Sequence, residues 1–250
     1  MIESRDLVAY CDRLLDAGRF SDYAPNGLQV EGDRPIRSLV TGVTASAALI
    51  DAAIQEGADA ILVHHGWFWK NENPCLTGIK GRRARAILEA GIALLAYHLP
   101  LDAHAELGNN ARLAVELDIR NAEPTGIGNG LVWVGRLSAP MTAESFANEV
   151  TQRLGREPVM VGRRLGQLER IAWCSGGGQG YLEQAVALGA DVFLSGELSE
   201  QTAHVARESD VCYLAAGHHA TERYGVQALG THLAEHFGLR HHYIEIDNPA

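Results

Sequence analysis

Ala60-Ile61-Leu62-Val63-His64-His65-Gly66-Trp67 is an apolar run that stops on two adjacent histidines. Four apolar residues, two of them β-branched, read as a strand buried on both faces, as in parallel sheets covered by helices. In an open α/β sheet, ligands collect beyond the carboxyl ends of the strands. His64 and His65 therefore stand where chemistry is expected. Neighbouring residues on a regular strand point to opposite faces. Both rings reach one site only if the backbone turns, and Gly66 permits that. The alternative is one packed ring and one solvated ring.

Outward from this run the chain alternates strands and helices. Before it, residues 38–43 read as a core strand, and Ser46 caps a helix whose Leu49, Ile50, Ala53 and Ile54 face inward. Earlier still, Leu7, Val8, Cys11, Leu14 and Leu15 recur at helical spacing behind Ser4 as a candidate N-cap. Pro25 and Asn26-Gly27 mark a turn before a short strand at 28–30. After it come Trp67-Phe68-Trp69, an aromatic loop explained by packing, and a helix near 81–90. Residues 92–97 form the next strand, ending in His98-Leu99-Pro100-Leu101-Asp102-Ala103-His104. Pro100 lacks a donor and restricts Leu99, so the strand stops and Asp102 lies beyond its carboxyl end.

The same order returns in the second half. The segment EGADAILVHHG (residues 56–66) matches LGADVFLSGEL (residues 188–198) in its helix end, Gly-Ala-Asp turn and buried strand. Strands at 170–174, 192–194 and 211–216 alternate with helices, and Gly217-His218-His219-Ala220-Thr221-Glu222 opens a long last helix. A strand near 241–246 closes the chain. Where one copy ends its strand in His64-His65, the other ends in Gly196-Glu197. The fold class is α/β: two repeat-related lobes with mostly parallel or mixed sheets. The Gly/Pro/Asn-rich stretch 121–130 marks the boundary, giving lobes at 1–125 and 126–250 that intertwine.

Bulk properties narrow the function. The 250 residues are 46% hydrophobic and 21% charged, ordinary for a globular chain. A formal charge of −10 without a Lys/Arg run argues against a duplex nucleic-acid surface. Cys11, Cys75, Cys174 and Cys212 are scattered, which excludes a zinc knuckle and suits a reducing compartment. The charged start is no signal peptide, and no apolar run reaches membrane-spanning length. The expectation is a cytoplasmic protein without membrane contact.

Three strand ends carry candidate metal ligands: His64 and His65, Asp102, and His218 with Glu222. His218 and Glu222 are four apart at a helix start, so they share one face and can chelate one ion. Three imidazoles and two carboxylates suit a pair of divalent ions, such as Zn, Mn, Fe, Co or Ni, that activates water. Each residue also has a structural explanation. Asp102 can cap the turn after Pro100, and Glu222 complements a helix dipole. His98 and His104 flank Asp102 as proton-handling groups, outer partners of a metal, or polar surface; His219 is structural or an outer partner. Gly176-Gly177-Gly178 after a strand can cradle phosphate, yet lacks the P-loop Lys-Ser/Thr.

The segments SDYAPNGLQVEG, ADAILVHHGWFWK, HLPLDAHAELGNNARLA, AWCSGGGQ and AAGHHATERYG together resemble the YbgI-like dinuclear-metal-centre family, also called the type 2 GTP cyclohydrolase I homologues or the NGG-one-interacting factor three family. The resemblance spans nearly the whole chain. It implies two intertwined α/β lobes, a toroidal homohexamer with metal facing its cavity, and ligands at His64, His65, Asp102, His218 and Glu222. It leaves three readings. The first is a metal-dependent hydrolase of a nucleotide or related small molecule, with His98 as the acid/base or substrate contact. The second is a ring-shaped metal store or metallochaperone. The third is a scaffold stabilised by metal.

Overall fold

A computed structural model describes residues 1–162 and 166–250. The chain divides into two compact units, Met1–Leu101 with Gly225–Asp247, and Asp102–Tyr224 with Asn248–Ala250. Among the described residues the strands form one five-stranded and one six-stranded sheet, and no helix is long and apolar enough to cross a membrane.

The first unit runs through α1 (Ser4–Leu14), β1 (Gly27–Val30), β2 (Ser38–Thr44), α2 (Ala47–Gln55), β3 (Ala60–His65), α3 (Gly78–Ala90) and β4 (Ala93–Ala96). Strands β2, β3 and β4 are parallel, and β1 lies antiparallel outside β4. Both sheet faces are dry, as the continuous apolar run in β3 requires. Val40, Ile61, Val63 and Leu94 pack with Leu49 and Ile50 of α2 and Ile87 of α3. Leu39, Leu62 and Leu95 are fully buried as well. Ser46 caps α2 through Leu49 N at 3.2 Å. Ser4, by contrast, is the first residue inside α1, and Glu3 holds the cap position. Past β4 the sequence suggests only a turn, but a short helix α4 (Leu99–Ala103) forms. Pro100 sits in its first turn, where a missing N–H is tolerated.

The second unit continues with α5 (Asn109–Glu116), β5 (Arg120–Pro124), β6 (Trp133–Met141), α6 (Ala143–Leu154), β7 (Val159–Val161), β8 (Leu168–Cys174), α7 (Leu182–Ala187), β9 (Val192–Ser195), α8 (Glu200–Glu208) and β10 (Cys212–Ala215). Its sheet order is β5-β6-β8-β9-β10-β7. The three central strands are parallel, and the outer ones are antiparallel. Side chains alternate between two cores: Ile171, Trp173, Leu194 and Leu214 enter one, and Ala172, Phe193 and Tyr213 the other. Strand β5 occupies part of the stretch read as a boundary. Its polar, largely exposed residues lack alternation, and pairing of Glu123 and Pro124 with Val134 and Trp133 makes it a strand. Helix α9 (His218–Phe237) then leads to β11 (Arg240–Tyr243), which pairs in parallel with β2. That pairing returns residues 225–247 to the first unit. The compact units thus differ from a cut at 125/126, and Asp102 belongs to the second.

The repeat read in the sequence is physical. Gly57 and Gly189 end α2 and the α7 segment in the left-handed region, at φ 63° and 69°. The next residues, Ala58 and Ala190, donate back to Ala53 O and Ala185 O. Then Asp59 Oδ2 accepts from Arg37 N and Ser38 N at 2.9 and 3.0 Å. Asp191 Oδ2 accepts from Glu169 N and Arg170 N, both at 2.8 Å. Each aspartate carbonyl also receives the first amide of the following strand, Ala93 N or Cys212 N, at 3.0 Å.

Replacing Asp191 with Ala strands two partly buried amides, and a stranded donor costs about 1–3 kcal/mol. Asp191→Ala should lower the melting temperature by several degrees. The exposed Asp51→Ala should leave it nearly unchanged. Equal melting of the two variants would remove the structural role given to Asp191.

Candidate metal centre

In the first unit, β3 delivers His64 and His65, and the turn after β4 delivers His98. The ring centroids lie 4.6 Å apart for His64–His65, 5.1 Å for His64–His98 and 5.7 Å for His65–His98. One nitrogen from each ring falls within 4.8 Å of the others, close enough to share a cation. Both β3 histidines thus meet without the turn expected at Gly66. What Gly66 provides is space: a Cβ there would fall on Gln29 Oε1 and lie 2.6 Å from Ala96 Cβ. Gln29 fills that space and clamps the chain just past the histidines, accepting from Trp67 N at 2.7 Å and donating to Trp67 O at 3.1 Å.

Each of these rings is held by its Nδ1. His64 Nδ1 is 2.9 Å from the Tyr97 carbonyl, His65 Nδ1 3.3 Å from Thr44 Oγ1, and His98 Nδ1 2.7 Å from Asp22 Oδ1. A carbonyl only accepts, so Nδ1 of His64 carries the proton and Nε2 is the atom it can offer to a cation. Metal-ligating imidazoles are oriented by such partners. Asp22 is itself fixed by Asn26 Nδ2 at 2.9 Å and Leu99 N at 3.0 Å. Burial works against its charge, but the bond and charge of His98, with those donors, pull its carboxyl down to about 2. Trp69 covers the pair, 5.7 Å from His65 and 5.0 Å from His98, while Trp67 is buried with its indole N–H on Ala45 O. The aromatic loop is therefore mostly packing, as its composition suggests, with Trp69 turned toward the imidazoles.

In the second unit, Asp102 is buried, and Asn109 Nδ2 and Ser175 Oγ donate to its Oδ1 at 2.8 and 3.0 Å. Asn110 secures the same corner, donating to Asp102 O and accepting from Ser175 N. His218 and Glu222 sit on the first turn of α9, with His218 Nε2 2.9 Å from Glu222 Oε2. The other ring nitrogen, Nδ1, is 2.7 Å from Glu197 Oε1. Burial disfavours a charged His218, yet Glu222 and then Glu197 outweigh it and raise the ring to about 9. Glu222 is buried beneath the glycine loop: a Cβ on Gly176 would fall on Glu222 Oε1 and lie 3.0 Å from His218 Nε2. The Gly176 amide donates to Thr221 Oγ1 at 2.9 Å, and its carbonyl accepts from Gly196 N and Ser195 Oγ. This loop makes room for a carboxylate and an imidazole. Burial, with the charges of Asp102 and Glu222, pushes the neighbouring Cys174 thiol well up, away from nucleophile chemistry.

Each unit thus presents its own set of imidazole nitrogens or carboxylate oxygens, a chemistry suited to divalent transition ions. The fit extends to shape, since Gly176 leaves the volume that a side chain would take. His98 joins the other histidines of its unit. His104 does not: its Nδ1 accepts from Glu106 N and Leu107 N and shapes the loop before α5. His219 is buried, its amide on Ala250 O. Sequence reasoning missed Asp22, Asn109, Ser175 and Glu197. Only Glu197 carried a signal, as the counterpart of His65 in the repeat.

Comparison with known proteins identifies the family and the fold. Residues 2–249 match the family described as Duf34/NIF3 (NGG1p interacting factor 3). A protein of Allochromatium vinosum named GTP cyclohydrolase 1 type 2 homolog is 70% identical over 250 residues, covering 100% of this chain and 98% of that one. A Pseudomonas aeruginosa protein of the same name is 55% identical, covering 98% and 97%. Among solved structures, protein ybgI, described as of unknown function, superposes with a TM-score of 0.95 at 46% identity and full coverage of both chains. TTHA1606 from Thermus thermophilus gives 0.88 at 35%, covering 100% of this chain and 99% of its own.

Two outcomes test this geometry. Gly176→Ala combines a φ of 57° with a clash on Glu222 and should destabilise the protein by about 1–3 kcal/mol. Gly180→Ala, with nothing near its Cβ, serves as the control in the same thermal melts. The depressed Asp22 carboxyl makes a contribution that is full above about pH 4, where the unfolded aspartate ionises, and is lost as pH falls towards 2. Asp22→Asn should therefore melt below wild type at neutral pH, and the gap should close between about pH 4 and 2. A gap constant with pH would show that the charge of Asp22 contributes nothing.

Proposed function

Since the chain belongs to the Duf34/NIF3 family, we propose that it is a metal-dependent hydrolase that uses two divalent ions to act on a nucleotide or related small molecule. His64, His65, Asp102, His218 and Glu222 hold the ions. The metal is Zn, Mn, Fe, Co or Ni, as mixed imidazole and carboxylate donors suit these ions. When bound, such a pair lowers the pKa of water and neutralises charged oxygens. His98, fixed through Nδ1 by Asp22, offers its other nitrogen as the proton-handling or substrate-contacting group.

One observation carries the reading: in both units the candidate ligand histidines are tied down at Nδ1, by Tyr97 O, Thr44 Oγ1 and Glu197 Oε1. Anchoring of one ring nitrogen by a polar partner, with the other left to face a cation, is the arrangement that metal-ligating imidazoles share. The names of the relatives, GTP cyclohydrolase 1 type 2 homolog, support a nucleotide as substrate. We assign the protein to the cytoplasm and to a homohexameric ring. Exposed apolar side chains such as Ile79, Leu88, Val159 and Met160 support contact with further copies.

Metal analysis of protein purified without added metal should find about two ions per chain, and the His64→Ala/Glu222→Ala double variant should lose them. The loaded protein should then turn over at least one member of a nucleotide panel, with activity abolished by Asp102→Ala. Metal without turnover would replace the hydrolase by a metal store or metallochaperone. No metal, even after reconstitution, would return these residues to structural roles.

A further inference from the structure

We infer that Glu197 is a positioning residue for metal binding: its carboxylate holds His218 in the tautomer that presents Nε2 to a cation. The inference rests on the reading of His218 as a metal ligand. It concerns a residue outside the five proposed ligands.

Glu197 lies just beyond the carboxyl end of β9, where the repeat places His65 in the first unit. Although exposed at the surface, it is held at three points. Oε1 is 2.7 Å from His218 Nδ1, Oε2 accepts from Gln179 Nε2 at 3.2 Å, and the backbone carbonyl accepts from the Tyr213 hydroxyl. Tyr213 is fully buried in β10, so it ties the Glu197 backbone to the core of the sheet. Gly177 lies against this corner, and even a Cβ there would make only ordinary contacts, 3.8 Å from Gln179 Oε1, Glu197 Oε2 and His218 Cε1.

A carboxylate facing Nδ1 accepts its proton, which makes Nε2 the ligand atom. It also raises the basicity of the ring, and loss of such a partner typically weakens metal binding by about 10- to 100-fold. His64 receives the same service from the Tyr97 carbonyl, while the Thr44 hydroxyl holds the orientation of the His65 ring. Glu197 is the charged version of that device in the second unit.

The test compares wild type with Glu197→Ala, Glu197→Gln and Glu197→Asp by competition for Co²⁺ against a chromophoric chelator. Ala removes the acceptor, Gln keeps an acceptor without charge, and Asp keeps the charge one methylene short. Positioning predicts that Ala and Asp weaken Co²⁺ binding by about 10- to 100-fold, while Gln recovers most of the loss and saturating stoichiometry stays that of wild type. In zinc-loaded protein labelled with ¹⁵N-histidine, the His218 Nδ1–H signal should be present in wild type and Glu197→Gln and lost in Glu197→Ala. Affinity that follows charge, with Asp like wild type and Gln like Ala, would overturn the inference. So would an ion lost outright in Glu197→Gln, which would make Glu197 a ligand, or unchanged binding in all three. If Glu197→Ala fails to fold, the contrast between Gln and Asp carries the test. Wild type that binds no Co²⁺ would instead defeat the metal reading itself.

Discussion

A carboxylate bonded to two consecutive backbone amides fixes where each central strand begins. Asp59 and Asp191 do this in the two units, each just after a glycine in the left-handed region. Because β3 and β9 are only six and four residues long, fixing the start also fixes the end. The ends are where His64, His65 and Glu197 emerge. A one-residue slip would send each of these side chains to the opposite face of its sheet. The position of these side chains is therefore set at the far end of the strand from the side chains themselves.

Much of this is legible in the sequence because the signals are local. The apolar run of β3, the Gly-Ala-Asp turns, the Ser46 cap and the i,i+4 pair His218/Glu222 each announce themselves within a few residues. The partners that orient the histidines are not legible. Asp22 lies 76 residues from His98, and Ser175 lies 73 from Asp102. In sequence Asp22 is part of a turn before Pro25, and only the fold brings it beneath an imidazole. Strand β5 escapes for a different reason, since its polar residues are strand only by pairing with β6. Gly66 and Gly176 look, in sequence, like a conformational device and a phosphate cradle. They serve by omission, leaving volume for the Gln29 amide and the Glu222 carboxylate.

The two units solve one electrostatic problem differently. The first surrounds its imidazoles with neutral or singly compensated partners: a carbonyl, a hydroxyl, and the Asp22 carboxylate under His98. The second concentrates negative charge, with Asp102 and Glu222 buried and Glu197 at the rim. Buried carboxylates are costly without a cation or strong donors. Asp102 has Asn109 and Ser175, and Glu222 has His218. The second corner is thus the more negative of the two.

The path of the chain has a consequence for how the protein is made. Strand β11 completes the sheet of the first unit, yet it is synthesised only after the whole of β5 to β10. Domains usually fold in the order in which they leave the ribosome. Here the first unit waits with the edge of β2 uncovered, while the second has its complete sheet before α9 ends. The waiting edge is the point at which a nascent chain most needs protection from its neighbours.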